Sequence, residues 1–355
     1  MAYTTINKSS LHFNSKLFAG NGSNGNAQTG VGFQPDVVWL KNRSAGTAHA
    51  LVDAVRGQNK VFMPNSASAE TTTNADKDFR SFDSDGFTVD TNENFGSTNT
   101  NGNNIVAWCW KANGAGSANT DGTIGSHTVS ANTTAGISIC TWTGTGDVRT
   151  IGHGLGAVPH FIMIKNRSSG DSWSVGSHKL GDEDWTDKLY LESSGAVADD
   201  NTTWNDTAPT SSVFTVGSSG NVNRNNDVYM AYCFSEKVGY SKFGSYIGNG
   251  DNGDGTFVYT GFKPAFLLIK NSSDSGEMWE MFDNKRIGYN PKNNRFYANG
   301  SDAEDTSAER LDLLSNGFKL RTNGSHINEG GDKMIYMAFA EAPLVGSNNV
   351  PCTAR

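Results

Sequence analysis

The sequence predicts an all-β protein made of three tandem antiparallel β-sandwich repeats of jelly-roll or lectin-like type. Three observations point there: self-similarity with a period of about a hundred residues, short runs rich in β-branched and aromatic residues, and glycine- and asparagine-centred turns between those runs.

The repeat is carried by four markers in fixed order. The first is an opening strand ending in a glycine turn: Leu17-Phe18-Ala19-Gly20-Asn21-Gly22, Thr141-Trp142-Thr143-Gly144-Thr145-Gly146 and Ser245-Tyr246-Ile247-Gly248-Asn249-Gly250. The second is Gly32-Phe33-Gln34-Pro35 followed by Val37-Val38-Trp39-Leu40-Lys41-Asn42. It returns as Gly156-Ala157-Val158-Pro159 with Phe161-Ile162-Met163-Ile164-Lys165-Asn166, and as Gly261-Phe262-Lys263-Pro264 with Phe266-Leu267-Leu268-Ile269-Lys270-Asn271. The third is Gly86-Phe87, Val213-Phe214 and Gly317-Phe318. The fourth closes each segment, at Ala107-Trp108-Cys109, Ala231-Tyr232-Cys233 and Ala338-Phe339-Ala340.

Spacing makes chance resemblance implausible. Gly20 to Ala107 is 87 residues, Gly144 to Ala231 is 87 and Gly248 to Ala338 is 90. The first, second and fourth markers shift by 124 and the third by 127 between the first two copies, but all shift by only 104 to 107 between the second and third, so the surplus lies between copies. The boundaries expected are a first sandwich over 1–112, a Gly/Ser/Asn linker over 113–130, a second sandwich over 131–237, a third over 238–345 and a C-terminal tail over 346–355.

Within each segment Asp85-Gly86, Asn101-Gly102, Asp254-Gly255 and Asn323-Gly324 read as hairpin turns, because Gly and Asn accept positive φ. Phe266-Leu267-Leu268-Ile269 is apolar on both faces, as a strand covered by a second layer would be. Residues 48–55 and 303–314 are read as places for one short helix each.

Composition narrows the function classes. The chain has 355 residues, 41 Gly against 8 Pro, and 18% charged residues, a profile that suits short strands and tight turns. Residues 1–8 show no basic stretch followed by an apolar run, and no stretch approaches eighteen apolar residues, so neither a secretory signal nor membrane insertion is expected. A net charge of −8 without a basic cluster argues against a nucleic-acid partner. Cys109, Cys140, Cys233 and Cys352 lack close pairing and metal-type spacing, which suits buried thiols in a reducing compartment.

The pattern of Gly-Phe-x-Pro, a Lys-Asn strand and an Ala-Tyr-Cys-Phe closing strand running into Gly239-Tyr240-Ser241-Lys242-Phe243-Gly244 resembles a repeated domain of uncharacterised function in predicted virion proteins of marine bacteriophages, including cyanophages. The likeness extends over about residues 10–345. It implies a tail fibre or other surface fibre, with a concanavalin-A-like sandwich, that engages a glycan or protein receptor on the host. The alternative it implies is a capsid decoration or head fibre, favoured by the lack of a distinct adaptor before residue 10. Its implied partners are other virion proteins, the host surface and a homotrimeric assembly, and its implied location is the virion, assembled in host cytoplasm. It supplies no catalytic residues.

A polysaccharide-degrading enzyme needs two carboxylates about 5–10 Å apart. Asp182-Glu183-Asp184 and Glu304-Asp305 with Glu309 lack the Glu-x-Asp-x-x-Glu spacing of sandwich glucanases, so no enzyme is expected. His153, in Gly152-His153-Gly154, is not repeated in the other copies. Asp251 and Asp254, in an acidic glycine loop, are the candidate calcium ligands, although the loop lacks the distal Glu of a twelve-residue calcium loop; no other cofactor is expected. Trp185 and Trp204, flanked by polar residues, are the candidate sugar-stacking or partner-binding rings. Lys41, Lys165 and Lys270 end a buried strand at one equivalent point, which suits a cross-strand ion pair or a stem lying over the core.

Overall fold

Three strands organise the molecule: Val37–Asn42, Phe161–Asn166 and Phe262–Asn271. The computed structural model describes residues 4–74, 77–91, 96–181, 185–292 and 294–343. Among these the protein is all-β, with several antiparallel sheets and only single-turn helices, a 3-10 turn at Ser9–Leu11 and α-helical turns at Asn201–Trp204, Gly220–Asn223 and Ser325–Asn328.

One pairing order occurs three times. In the first segment it runs Phe13–Ala19, Asn104–Trp110, Val37–Asn42, Ala50–Asp53. In the second it runs Ile137–Thr143, Val228–Phe234, Phe161–Asn166, Ser174–Ser177. In the third it runs Ser241–Ile247, Lys333–Pro343, Phe262–Asn271, Glu280–Asp283. Each segment also forms a smaller sheet, of which the central pairs are Asn26–Thr29 with Gly86–Val89, Arg149–Gly152 with Val213–Val216, and Phe257–Tyr259 with Gly317–Leu320.

The organising strands are apolar on both faces because each face meets a different core. Val38 and Leu40 pack with Phe87 and Val89, Ile162 and Ile164 with Phe214 and Val216, and Leu267 and Ile269 with Phe318 and Leu320. The alternate residues Trp39, Met163 and Leu268 point the other way. They join Trp108, Trp110, Tyr232, Phe234, Met337 and Phe339 in one cluster drawn from all three segments. Each such side chain contributes roughly 1.5–3 kcal/mol on burial, so the segments are joined by much of their own apolar surface. At the centre a cavity of about 20 Å³ is lined by side chains of all three, among them Trp39, Met163, Tyr232 and Met337.

Three sequence expectations are corrected. Residues 113–130 are not an open spacer: Ser117–Asn119 pairs with His127–Asn132, which pairs with Ile137–Thr143, so that sheet reaches eight strands. Gly122 bridges Ile151, and the Gly114 N–H donates to Asp36 Oδ1 at 3.1 Å. A Gly/Ser/Asn composition has little propensity of its own, but an unpaired strand edge offers its backbone partners. Neither expected helix forms, since 48–55 contains the strand Ala50–Asp53 and 303–314 contains Leu311–Leu314. Finally, the strand partners of Lys41, Lys165 and Lys270 are Val106, Met230 and Ile335. Ala107 and Ala231 therefore correspond to Tyr336 rather than Ala338, a two-residue slip that leaves every side chain on its expected face. The expected C-terminal tail and Cys352 lie outside the described residues.

Candidate functional site

The three equivalent lysines form a closed cycle of contacts between segments. Lys41 Nζ donates to the carbonyls of Thr47, at 2.8 Å, and of Ser301 in the third segment, at 3.0 Å. Lys165 donates to Asp171, at 2.6 Å, and to Ala67 in the first, at 2.8 Å. Lys270 donates to Glu277, at 2.8 Å, and to Ser194 in the second, at 3.4 Å. Burial lowers all three from the ordinary lysine value to about 8. The side chains eight or nine residues further on repeat the cycle. His49 Nε2 lies 3.1 Å from the Tyr297 carbonyl, Trp173 Nε1 donates to Met63 at 3.3 Å, and Trp279 Nε1 donates to Tyr190 at 3.1 Å.

Among the described residues, two of the three junctions also carry buried ion pairs. Arg56 Nε meets Asp53 Oδ2 at 2.5 Å, and that oxygen accepts the Tyr232 hydroxyl of the second segment at 2.6 Å. Arg286 Nε meets Asp283 Oδ2 at 2.6 Å, which accepts Trp108 Nε1 of the first at 3.0 Å. Burial pushes Asp283 up, but Arg286 beside it holds the carboxyl below its ordinary value. Arg167–Glu70 at 2.9 Å and Arg43–Glu304 at 2.7 Å reinforce the same two junctions. At the third junction Ser177 and Leu180 replace the Asp and Arg, and Ser272 replaces Arg43 and Arg167.

The residues singled out in the sequence mostly serve the fold. Trp185 and Trp204 are 3% and 1% exposed and stand edge to face at 5.3 Å, packed on Gly176, where an added Cβ would lie 2.4 Å from Trp185. Their polar flanks misled because positive φ at Trp185 and Asn205 turns the rings inward. Neither ring is presented as a platform. Asp251 Oδ1 accepts the Asp254 N–H at 3.0 Å, and Asp254 pairs with Lys319; among the described residues no group of three His, Cys, Asp or Glu side chains is placed to hold a metal ion. His153 is buried, with Nε2 on the Thr210 carbonyl at 3.1 Å and Nδ1 accepting the Leu155 N–H. Cys109, Cys140 and Cys233 are buried free thiols. Glu304 and Asp305 bind arginines, while Asp182, Glu183 and Asp184 lie outside the described residues.

A repeated asparagine was missed. Asn99, Asn223 and Asn328 are fully buried. Their Oδ1 atoms accept the backbone N–H of Asn21, Thr145 and Asn249, each just after the first glycine of its turn, at 3.0, 2.9 and 3.1 Å. Their Nδ2 atoms donate to the carbonyls of Ser23, Asp147 and Asp251. The signal was present, since these residues are separated by the repeat's own shifts. The loop holding Asp251 is thus the third copy of a turn clamped by asparagine.

One surface cleft combines aromatic and polar groups. Between the second and third segments, a volume of about 340 Å³ is lined by Lys179, Glu236, Lys242, Tyr246, Phe257 and Tyr259, among others. Lys242 and Glu236 pair at 3.1 Å along one wall. Phe257 and Tyr259, on the edge strand Phe257–Tyr259, are 45% and 55% exposed.

No curated protein matches the chain. A family model described only as a domain of unknown function, DUF7483, matches residues 8–343. That span takes in the organising strand of all three segments and the whole cycle of lysine contacts, and the chain belongs to the DUF7483 family.

Proposed function

We propose that this chain is a bacteriophage structural protein, a tail fibre or other surface fibre, made of three tandem β-sandwich repeats of jelly-roll or lectin-like type, and that it engages the host surface. One observation carries this reading: the lysine contacts close a ring in which the first segment reaches the third, the third the second, and the second the first. A single chain thereby fills the three places a cyclic trimer would fill, a form suited to a rigid body standing on a particle. His153, Glu304 and Asp305, which invited a catalytic reading, are engaged in structural bonds, which supports a binding rather than an enzymatic role.

In this reading the chain is itself a monomer. Light scattering on the purified protein should give a mass near 38.0 kDa, and a trimer would refute it. Labelling purified particles with an antibody to the chain tests the location. Signal at the tail is expected; signal confined to the capsid would replace the tail assignment with a decoration or head fibre. Release of reducing ends from host polysaccharide by the purified protein would overturn the non-enzymatic reading.

A further inference from the structure

We propose that the cleft between the second and third segments binds an oligosaccharide, with Phe257 and Tyr259 as the stacking platform. The repeat supplies an internal control. Strand register makes Phe257 equivalent to Ala27 and Thr150, and Tyr259 equivalent to Thr29 and Gly152, because Val258, Gln28 and Ile151 face the corresponding Phe318, Phe87 and Phe214. The same place in the same sheet is therefore built twice without an aromatic ring. Folding does not require Phe257 and Tyr259, and two large rings about half exposed side by side oppose solubility unless something covers them.

The surroundings select the occupant. In the second segment the equivalent edge is covered by residues 113–130, through the Gly122–Ile151 bridge and the Thr123 N–H donating to the Thr150 carbonyl at 3.0 Å. Among the described residues the Phe257–Tyr259 edge has no such cover, and it lines a cleft of about 340 Å³, within the size range of small-molecule sites. The same cleft is lined by donors and acceptors: the Lys242–Glu236 pair, 34% and 24% exposed, with Lys179 and Ser245. Flat rings and hydrogen-bonding groups in one cleft match a sugar ring, which has an apolar C–H face and a rim of hydroxyls. Tyr336 packs directly on Gly244 of the adjoining strand, where an added Cβ would lie 2.6 Å from its hydroxyl, so the cleft floor has a fixed shape.

This site gives the surface binding proposed above a location and rests on that reading only for the origin of the saccharide. The test is an array of defined neutral and uronate-containing oligosaccharides probed with the purified full chain, with hits titrated by calorimetry. Wild type should bind at least one with micromolar to millimolar affinity. The double variant F257T/Y259T, which installs residues the other segments use at these places, should weaken that binding at least about tenfold with an unchanged unfolding midpoint. Absence of saccharide binding up to about 10 mM, unchanged binding by the double variant, or capture of extended peptides along the strand edge instead of saccharide would each overturn the proposal. Absence of the chain from purified particles would instead refute the virion reading and leave the titration result standing.

Discussion

Lys165 Nζ donates to the carbonyl of Ala67, 98 residues earlier in the chain, at 2.8 Å, and ties the second segment to the first. Lys41 and Lys270 do the same at the other two junctions. Replacing any one with alanine should leave two buried carbonyls without their donor and a space the length of the side chain. A loss of about 2–4 kcal/mol is expected for each. Urea unfolding of the three variants should show similar losses and a single transition; a variant with wild-type stability would show that its contact is incidental.

The same lysines set a pH dependence. Below about pH 8 each is charged in both states, and the fold bears the full cost of burying the charge. Between about 8 and 10.5 the unfolded chain binds more protons than the folded one, so stability should rise with pH, by up to about 1.4 kcal/mol per pH unit per lysine. Tyr232 and Tyr246 act oppositely: burial raises them well above their ordinary value, so above about pH 10 only the unfolded chain loses their protons and stability should fall. His49, lowered by burial to about 3, adds a loss of stability as pH falls through about 6.5. Urea midpoints should therefore be higher at about pH 9 than at about pH 7. A steady fall from 7 to 9 would contradict the lysine account.

The ionic junctions should respond asymmetrically. Arg286→Leu alone strands the Asp283 carboxylate in a fully buried place and should cost about 3–5 kcal/mol. The double variant D283S/R286L copies Ser177 and Leu180 of the second segment and should cost less than the single change, although Trp108 Nε1 loses its acceptor. Equal losses would mean that the charge itself is not what the pair neutralises.

Residues 113–130 should resist early proteolysis, because strand pairing and the Gly114–Asp36 bond hold their backbone. Mass spectrometry of limited digests should show no accumulating fragment that begins between residues 114 and 130. Such a fragment, running stably to the C-terminus, would restore the open linker and a separable first segment.

The sequence by itself determined the strand class, the repeat and, in Phe266-Leu267-Leu268-Ile269, the continuous apolar run that assigns a strand two buried faces. These are local properties: period-two patterning and turn residues act over a few positions, and repetition made them visible three times over. It also marked Lys41, Lys165 and Lys270 as equivalent. Only the tertiary structure decided what those lysines touch, since Ser301, Ala67 and Ser194 lie far along the chain and accept through backbone carbonyls, which carry no residue signature. Trp185 and Trp204 look exposed from their neighbours and are buried because the chain reverses beside each. Residues 113–130 look like coil and become strands because an edge lay open for them. In each case the deciding partner is distant in sequence, and the free energy comes from burial and backbone pairing that composition does not encode.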